Sequence, residues 1–179
     1  MVLPTDTVYG VAALPTLPGA TARLFELKGR AGDQPLAVLV ADAQQARDLV
    51  DPALLSDDVE RWMGTLWPGS LTLVMPRSAA ATVMELGHPA STIGVRCPDS
   101  SFVCDLAEVV GPIATTSANL HGEPTPITAL AAGESLSGQV DLVVDGGPAG
   151  SVPSTVVEVG RDGWRVLRVG SITEADLRG

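Results

Sequence analysis

Short runs of β-branched and aliphatic residues alternate with segments of helical period along the whole chain, and this alternation restricts the fold more than any other feature. "PLAVLV" (35–40), "SLTLVM" (70–75), "STIGVR" (91–96), "PIATT" (112–116), "VDLVVD" (140–145), "STVVEV" (154–159) and "WRVLRV" (164–169) have the length and residue types of strands. "MVL" at the start reads as the end of another. Helical patterns fill the gaps at 20–28, 42–50, 56–66, 101–110 and 128–136. Asp42 and Ser56 stand where N-caps belong, and Gly111 follows the fourth helix as a stop. "SITEADL" (171–177) carries a capping-box pattern, Ser171 with Glu174. The expectation is an α/β fold, a twisted open mixed sheet with flanking helices. No linker or internal repeat divides the chain, so residues 1–179 read as one domain. "DGGPAGSVPS" (145–154) is the richest in Gly and Pro. Ten residues between two strands suit a functional loop better than a boundary.

Charge and composition then remove several functions. A net charge of -10 argues against a non-specific polyanion binder, and 3% aromatics leaves few stacking platforms for single-stranded nucleic acid. A local basic pocket for a small anion remains compatible with both. Cys97 and Cys104 have no close His or Cys to complete a zinc set and read as small buried residues. No apolar run reaches the ~18 residues of a membrane span. "MVLPTDTVYG" has neither the basic nor the apolar region of a signal peptide. The expected location is the cytoplasm.

The familiar nucleotide loops, G-x-x-x-x-G-K-[ST] and G-x-G-x-x-G, do not occur. His88 and His121 lie far apart and outside any nucleophile context. Polar clusters instead sit at the ends of apolar runs, where α/β sheets commonly open a crevice. They are "PTDTVYG" (4–10), "KGR" (28–30), "VRCP" (95–98), "TTSAN" (115–119), "PST" (153–155) and "LRVG" (167–170). Singly each has a plain reading: a turn, a dipole-favoured helix end, a surface arginine or a cap. Lys28 is the only lysine, and a solvated helix end explains its charge. A phosphate site explains the charges of Lys28 and Arg30 together with the glycines beside them. Jointly the clusters supply four separated cations (Lys28, Arg30, Arg96, Arg168) and a row of hydroxyls, with no obvious acid/base pair. Such a site binds phosphates and carboxylates and works by positioning and electrostatics.

In their order along the chain, "PTDTVYG", "KGR…PL", "LWPGSLTLV", "VRCP", "TTSAN…G…P", "PSTVV" and "LRVGSI" resemble the YrdC family of threonylcarbamoyl-AMP synthases over essentially all 179 residues. The resemblance implies an open α/β sheet with a concave, locally positive groove. It implies a reaction in which L-threonine, bicarbonate (or CO2) and ATP give L-threonylcarbamoyl-AMP and pyrophosphate, for modification of adenosine 37 in tRNA. By family position Lys28 and Arg30 are the K-x-R pair that handles the ATP phosphates with Ser117 and Asn119. Ser154 and Arg168 close the nucleotide side. Thr7, Tyr9, Arg96 and Thr115 form the threonine pocket. ATP comes with Mg2+, no residue is expected to bind a metal itself, and a downstream tRNA threonylcarbamoyl transferase and a weak tRNA contact are implied partners. Three departures accompany the match: a start almost at the motif, which suggests a misassigned first codon or a missing helix; Ala31 where proline is common; and His121 where serine is common, expected to face water. The rival readings are a non-catalytic RNA-binding module, a carbamoyl-transfer module and an inactive truncated paralogue.

Overall fold

A computed structural model describes residues 1–29, 34–88 and 91–179. Eight strands form one sheet: β1 (Val2–Leu3), β2 (Gly10–Ala13), β3 (Ala37–Leu39), β4 (Leu71–Pro76), β5 (Thr92–Arg96), β6 (Ile113–Ser117), β7 (Thr155–Gly160) and β8 (Gly163–Arg168). Their spatial order is β1-β2-β6-β3-β5-β4-β7-β8, an open sheet. It is mixed: β3/β5 and β4/β7 are parallel and the other neighbours antiparallel. The helices are α1 (Ala20–Lys28), α2 (Ala43–Leu49), α3 (Asp57–Thr65), α4 (Ser101–Val110), α5 (Ala129–Glu134) and α6 (Glu174–Arg178). Asp42 and Ser56 cap as expected, accepting from the amides of Gln45 at 2.7 Å and Val59 at 3.4 Å. None of the described helices is long and apolar enough to cross a membrane.

Strand alternation sorts the side chains onto two unlike faces. Val38, Leu71, Leu73, Met75, Val95, Ala114 and Val157 point to a large core shared with Leu24 and Leu27 of α1, Ala46 and Leu49 of α2, Val59, Trp62 and Met63 of α3, and Ala129 and Ala132 of α5. Trp62 is fully buried, stacks edge-on to Trp164 at 5.4 Å and donates from Nε1 to the Leu177 carbonyl at 2.9 Å. The opposite face is covered at one end, where Val103 and Ala107 of α4 pack on Leu3, Ala12, Leu39 and Ile113. Beyond α4 this second face stays open, and Thr72, Val74, Gly94, Arg96, Val156 and Glu158 line a cavity there. The out-of-phase residues of the central strands therefore become the floor of the site.

Two expectations need correction, and one strand was not foreseen. "VDLVVD" (140–145) does not form a strand; Val143 makes a lone bridge to Val2, supported by backbone bonds of Val2 to Leu142 and Val144. Its neighbour β1 is two residues long, so a ladder has nothing further to pair with. Conversely "GVAA" (10–13) is a strand, concealed by Gly and Ala, which carry little strand preference. The last helix is capped by Thr173 with Asp176, not Ser171 with Glu174. Ser171 is held instead by Ser70 Oγ at 2.5 Å, while Thr155 Oγ1 takes the amides of Gly170 and Ile172, so residues 170–172 lie against the sheet before the helix can start.

Candidate active site

The segment after β1 folds on its own hydroxyls. Thr5 Oγ1 donates to the Val8 carbonyl at 2.6 Å and accepts from the amides of Thr7 and Val8, both at 3.2 Å. Its single proton is thereby used, so in the 3.0 Å contact with Thr7 Oγ1 the proton comes from Thr7. That leaves Thr7 Oγ1 to accept from Arg96 Nη1 at 2.8 Å.

Arg96 ends β5 with its side chain 7% exposed. Nε donates to the Gly69 carbonyl at 2.9 Å, Nη1 to Thr7 and Nη2 to Asp6. Burial pulls its pKa below the ordinary arginine value, and the charge of Asp6 opposes that pull. Three of a guanidinium's five N–H groups are thus engaged, and two are left to meet a ligand.

Lys28 is the last residue of α1, where the helix dipole favours a cation, and Gly29 in the left-handed region (φ 62) stops the helix there. Its Nζ reaches the Ser117 carbonyl at 2.7 Å, Ser117 Oγ at 3.3 Å and Asn119 Oδ1 at 2.8 Å. Asn119 is in turn fixed through Nδ2, which donates to the carbonyls of Leu120 at 3.0 Å and Glu123. On the other side of the cavity Arg168 donates from Nε and Nη2 to the carbonyl and hydroxyl of Ser154, both at 3.1 Å, and Ser154 Oγ lies 2.8 Å from Thr72 Oγ1. Burial lowers the pKa of Arg168, and the like charge of Arg96 lowers it further.

The cavity measures about 570 Å³. Of the expected site residues, Thr7, Arg96, Thr115, Ser117, Ser154 and Arg168 line it. Lys28 and Asn119 lie behind Ser117, buried at 3% and 7% exposure. Arg30 and its neighbour Ala31 lie outside the described residues. Tyr9 is not in the lining. It is fully buried, and its hydroxyl donates to the Gly147 carbonyl at 2.6 Å and accepts from the Gly146 amide at 3.1 Å. Thr5, Thr72 and Glu158 line the cavity without having been expected to, and Asp6 holds Arg96. The available signal for Thr72 and Glu158 was a polar residue at an alternate position of an apolar strand. His121 is exposed, as expected. Cys97, next to Arg96, is no nucleophile: burial, then Cys104, pushes its thiol pKa up to about 12.

Two guanidinium groups against the one carboxylate of Glu158, a row of hydroxyls and, among the described residues, no histidine in the lining suit the holding of anions more than proton abstraction. Among the described residues no group of three or more His, Cys, Asp or Glu is placed to hold a metal ion.

The model of the Sua5/YciO/YrdC family, described as telomere recombination, matches residues 1–170. The threonylcarbamoyl-AMP synthase of Bacillus subtilis is 38% identical over 176 residues, covering 97% of this chain and 50% of that protein. A putative threonylcarbamoyl-AMP synthase of Mycobacterium tuberculosis is 35% identical over 174 residues, covering 97% and 79%. The crystal structure of Pyrococcus abyssi Sua5 complexed with L-threonine superposes with a TM-score of 0.87 at 33% identity, covering 99% of this chain and 52% of that one. Escherichia coli YciO superposes at 0.83 with 25% identity, covering 98% and 85%. The chain thus spans about half the length of the Bacillus and Pyrococcus proteins.

Proposed function

The chain belongs to the Sua5/YciO/YrdC family, and from that premise we propose that it is an L-threonylcarbamoyl-AMP synthase. The observation that carries the reading is the pair of arginines, Arg96 and Arg168, facing one cavity beside Ser117 and the Lys28–Asn119 pair. Bringing like charges together costs free energy that an anionic ligand offsets.

The neutral amine of threonine adds to CO2 to give a carbamate and one proton, which passes to solvent; with bicarbonate as the source the net step releases water and no proton. A carbamate oxygen then attacks the α-phosphorus of ATP. The new O–P bond forms as the bond to the β-phosphate oxygen breaks, and pyrophosphate leaves. The carbamate is already an anion, so this step requires no base to activate it. The protein's task is to hold two anions together and to stabilise charge on the leaving group.

Lys28, Ser117 and Asn119, with Arg30, handle the phosphates. Ser154 and Arg168 close the nucleotide side. Arg96 takes the carboxylate of threonine with its two remaining N–H groups, and Thr7 and Thr115 shape the pocket around it. The carboxylates available do not form a metal cage, so Mg2+ would arrive on the nucleotide, and no step above runs through it. The product serves the modification of tRNA adenosine 37 by a downstream transferase in the cytoplasm.

The test is product identity. The protein is incubated with ATP, L-threonine and 13C-bicarbonate, and the mixture is read by mass spectrometry. A threonine-dependent adenylate carrying the 13C label is expected. Its absence at full ATP occupancy contradicts the assignment.

A further inference from the structure

The stretch 145–154, expected to be a functional loop, crosses directly over the segment that carries Thr7. Gly146 lies against Pro4, so close that a Cβ on it would meet the proline ring at 2.7 Å. Gly150 lies against Thr7, where a Cβ would meet the carbonyl oxygen at 2.6 Å. A side chain at either position would force Pro4 or the Thr7 backbone to shift. Gly147, at φ +81, turns the loop between them.

Close approach by glycine permits a position but does not hold it. The hold comes from Tyr9. Its ring is fully buried, and its hydroxyl both donates to Gly147 and accepts from Gly146, residues 138 and 137 positions away. A phenol has one proton and accepts through its oxygen, so this pair of bonds satisfies it. From that anchor the loop runs to Pro153 and Ser154 in the cavity wall, and Ser154 receives both donors of Arg168. The first end of the loop is thus tied to a buried ring, and the second end places an arginine.

We propose that Tyr9 is a positioning residue that acts through the 145–154 loop to set Ser154 and Arg168 on the nucleotide side of the cavity. It touches no substrate. The proposal rests on the synthase reading for its kinetic readout and on the loop geometry for its structural one.

Tyr9→Phe keeps the buried ring and deletes both hydrogen bonds. The KM for ATP should rise by about tenfold with kcat within about twofold of the parent, the size expected when a pair of neutral hydrogen bonds is removed from a loop. The KM for L-threonine should move less. In the free protein the Gly146 amide should exchange with solvent deuterium roughly tenfold faster. Asp145→Ala frees the same Gly147 anchor through its amide without touching Tyr9 or Thr7 and should raise the ATP KM in the same direction; it also decides the matter should Tyr9→Phe fail to fold. An ATP KM unchanged in the variants overturns the proposal. So does a fall in kcat at constant KM, which would put Tyr9 in the chemistry. A parent protein that releases no threonine-dependent pyrophosphate contradicts the synthase reading alone. The exchange comparison then decides, and an unchanged Gly146 rate overturns the brace.

Discussion

Lys28 Nζ lies 2.8 Å from Asn119 Oδ1, although the two residues are 91 positions apart. The same ammonium reaches the carbonyl and hydroxyl of Ser117. The end of α1 and the turn after β6 are therefore one unit, with the ammonium held behind Ser117 of the cavity wall before any ligand enters. A preset donor costs no reorganisation when charge develops on a leaving group.

Lys28→Ala is expected to lower threonine-dependent pyrophosphate release roughly 30- to 1000-fold, the equivalent of about 2–4 kcal/mol of lost transition-state stabilisation. Asn119→Ala should act in the same direction through the shared contact. The double variant should lose much less than the product of the two single losses, because both remove one interaction. Steady-state assays of the four proteins in the cycle check this.

Asp6 faces Arg96 in a pair whose side chains are 15% and 7% exposed. Removing one partner of a buried pair leaves an uncompensated charge and costs about 3–5 kcal/mol. Asp6→Asn should therefore lower the melting temperature by roughly 10 °C in a chain of this size. It should also raise the threonine KM, because the neutral amide holds the Arg96 guanidinium in place less firmly than the carboxylate does. Thermal denaturation and threonine saturation curves measure the two effects separately.

Gly94 lies in the cavity floor with room for a Cβ: the nearest atoms would be Thr72 Cγ2 at 3.5 Å and Val74 Cγ2 at 3.6 Å. A side chain there fits the fold and occupies the site. Gly94→Leu is expected to keep the melting temperature within a few degrees while weakening nucleotide binding more than tenfold. Calorimetric titration with ATP alongside thermal unfolding distinguishes this occlusion from general damage.

The thiol of Cys97 bears on stability at high pH. Its pKa is raised from 9.0 to about 12 in the folded chain, so the unfolded state loses this proton first. The contribution is fully present below pH 9 and is lost as pH rises from 9 toward 12. The parent protein should lose stability more steeply across that window than Cys97→Ala, as read by urea titrations at several pH values. In the native state at pH 8, Cys97 should also react with a thiol reagent far more slowly than after denaturation.

The legible parts of this fold are those that local chemistry marks. α1 and α4 begin and end where expected, because Gly29 and Gly111 adopt φ values of 62 and 85 that end a helix. The β-branched strands are equally visible. The 140–145 segment fails because strand period describes one chain, whereas pairing depends on the length of β1 beside it. In the site, the order of motifs brings Lys28 to mind with Ser117 and Asn119, and Thr7 with Arg96. The Asp6–Arg96 pair is not visible from either motif, since the β2/β6, β3/β6 and β3/β5 pairings are all needed to bring together two residues 90 positions apart. The role of Tyr9 is hidden for another reason: both of its partners are backbone atoms of glycines, which leave no side-chain signature.

The most direct measurement of the central claim is pyrophosphate release from ATP and bicarbonate with L-threonine, with L-serine and with no amino acid. Release should depend on an amino acid and be faster with threonine. Release that is equal in all three, or absent while ATP binds, would contradict the claim.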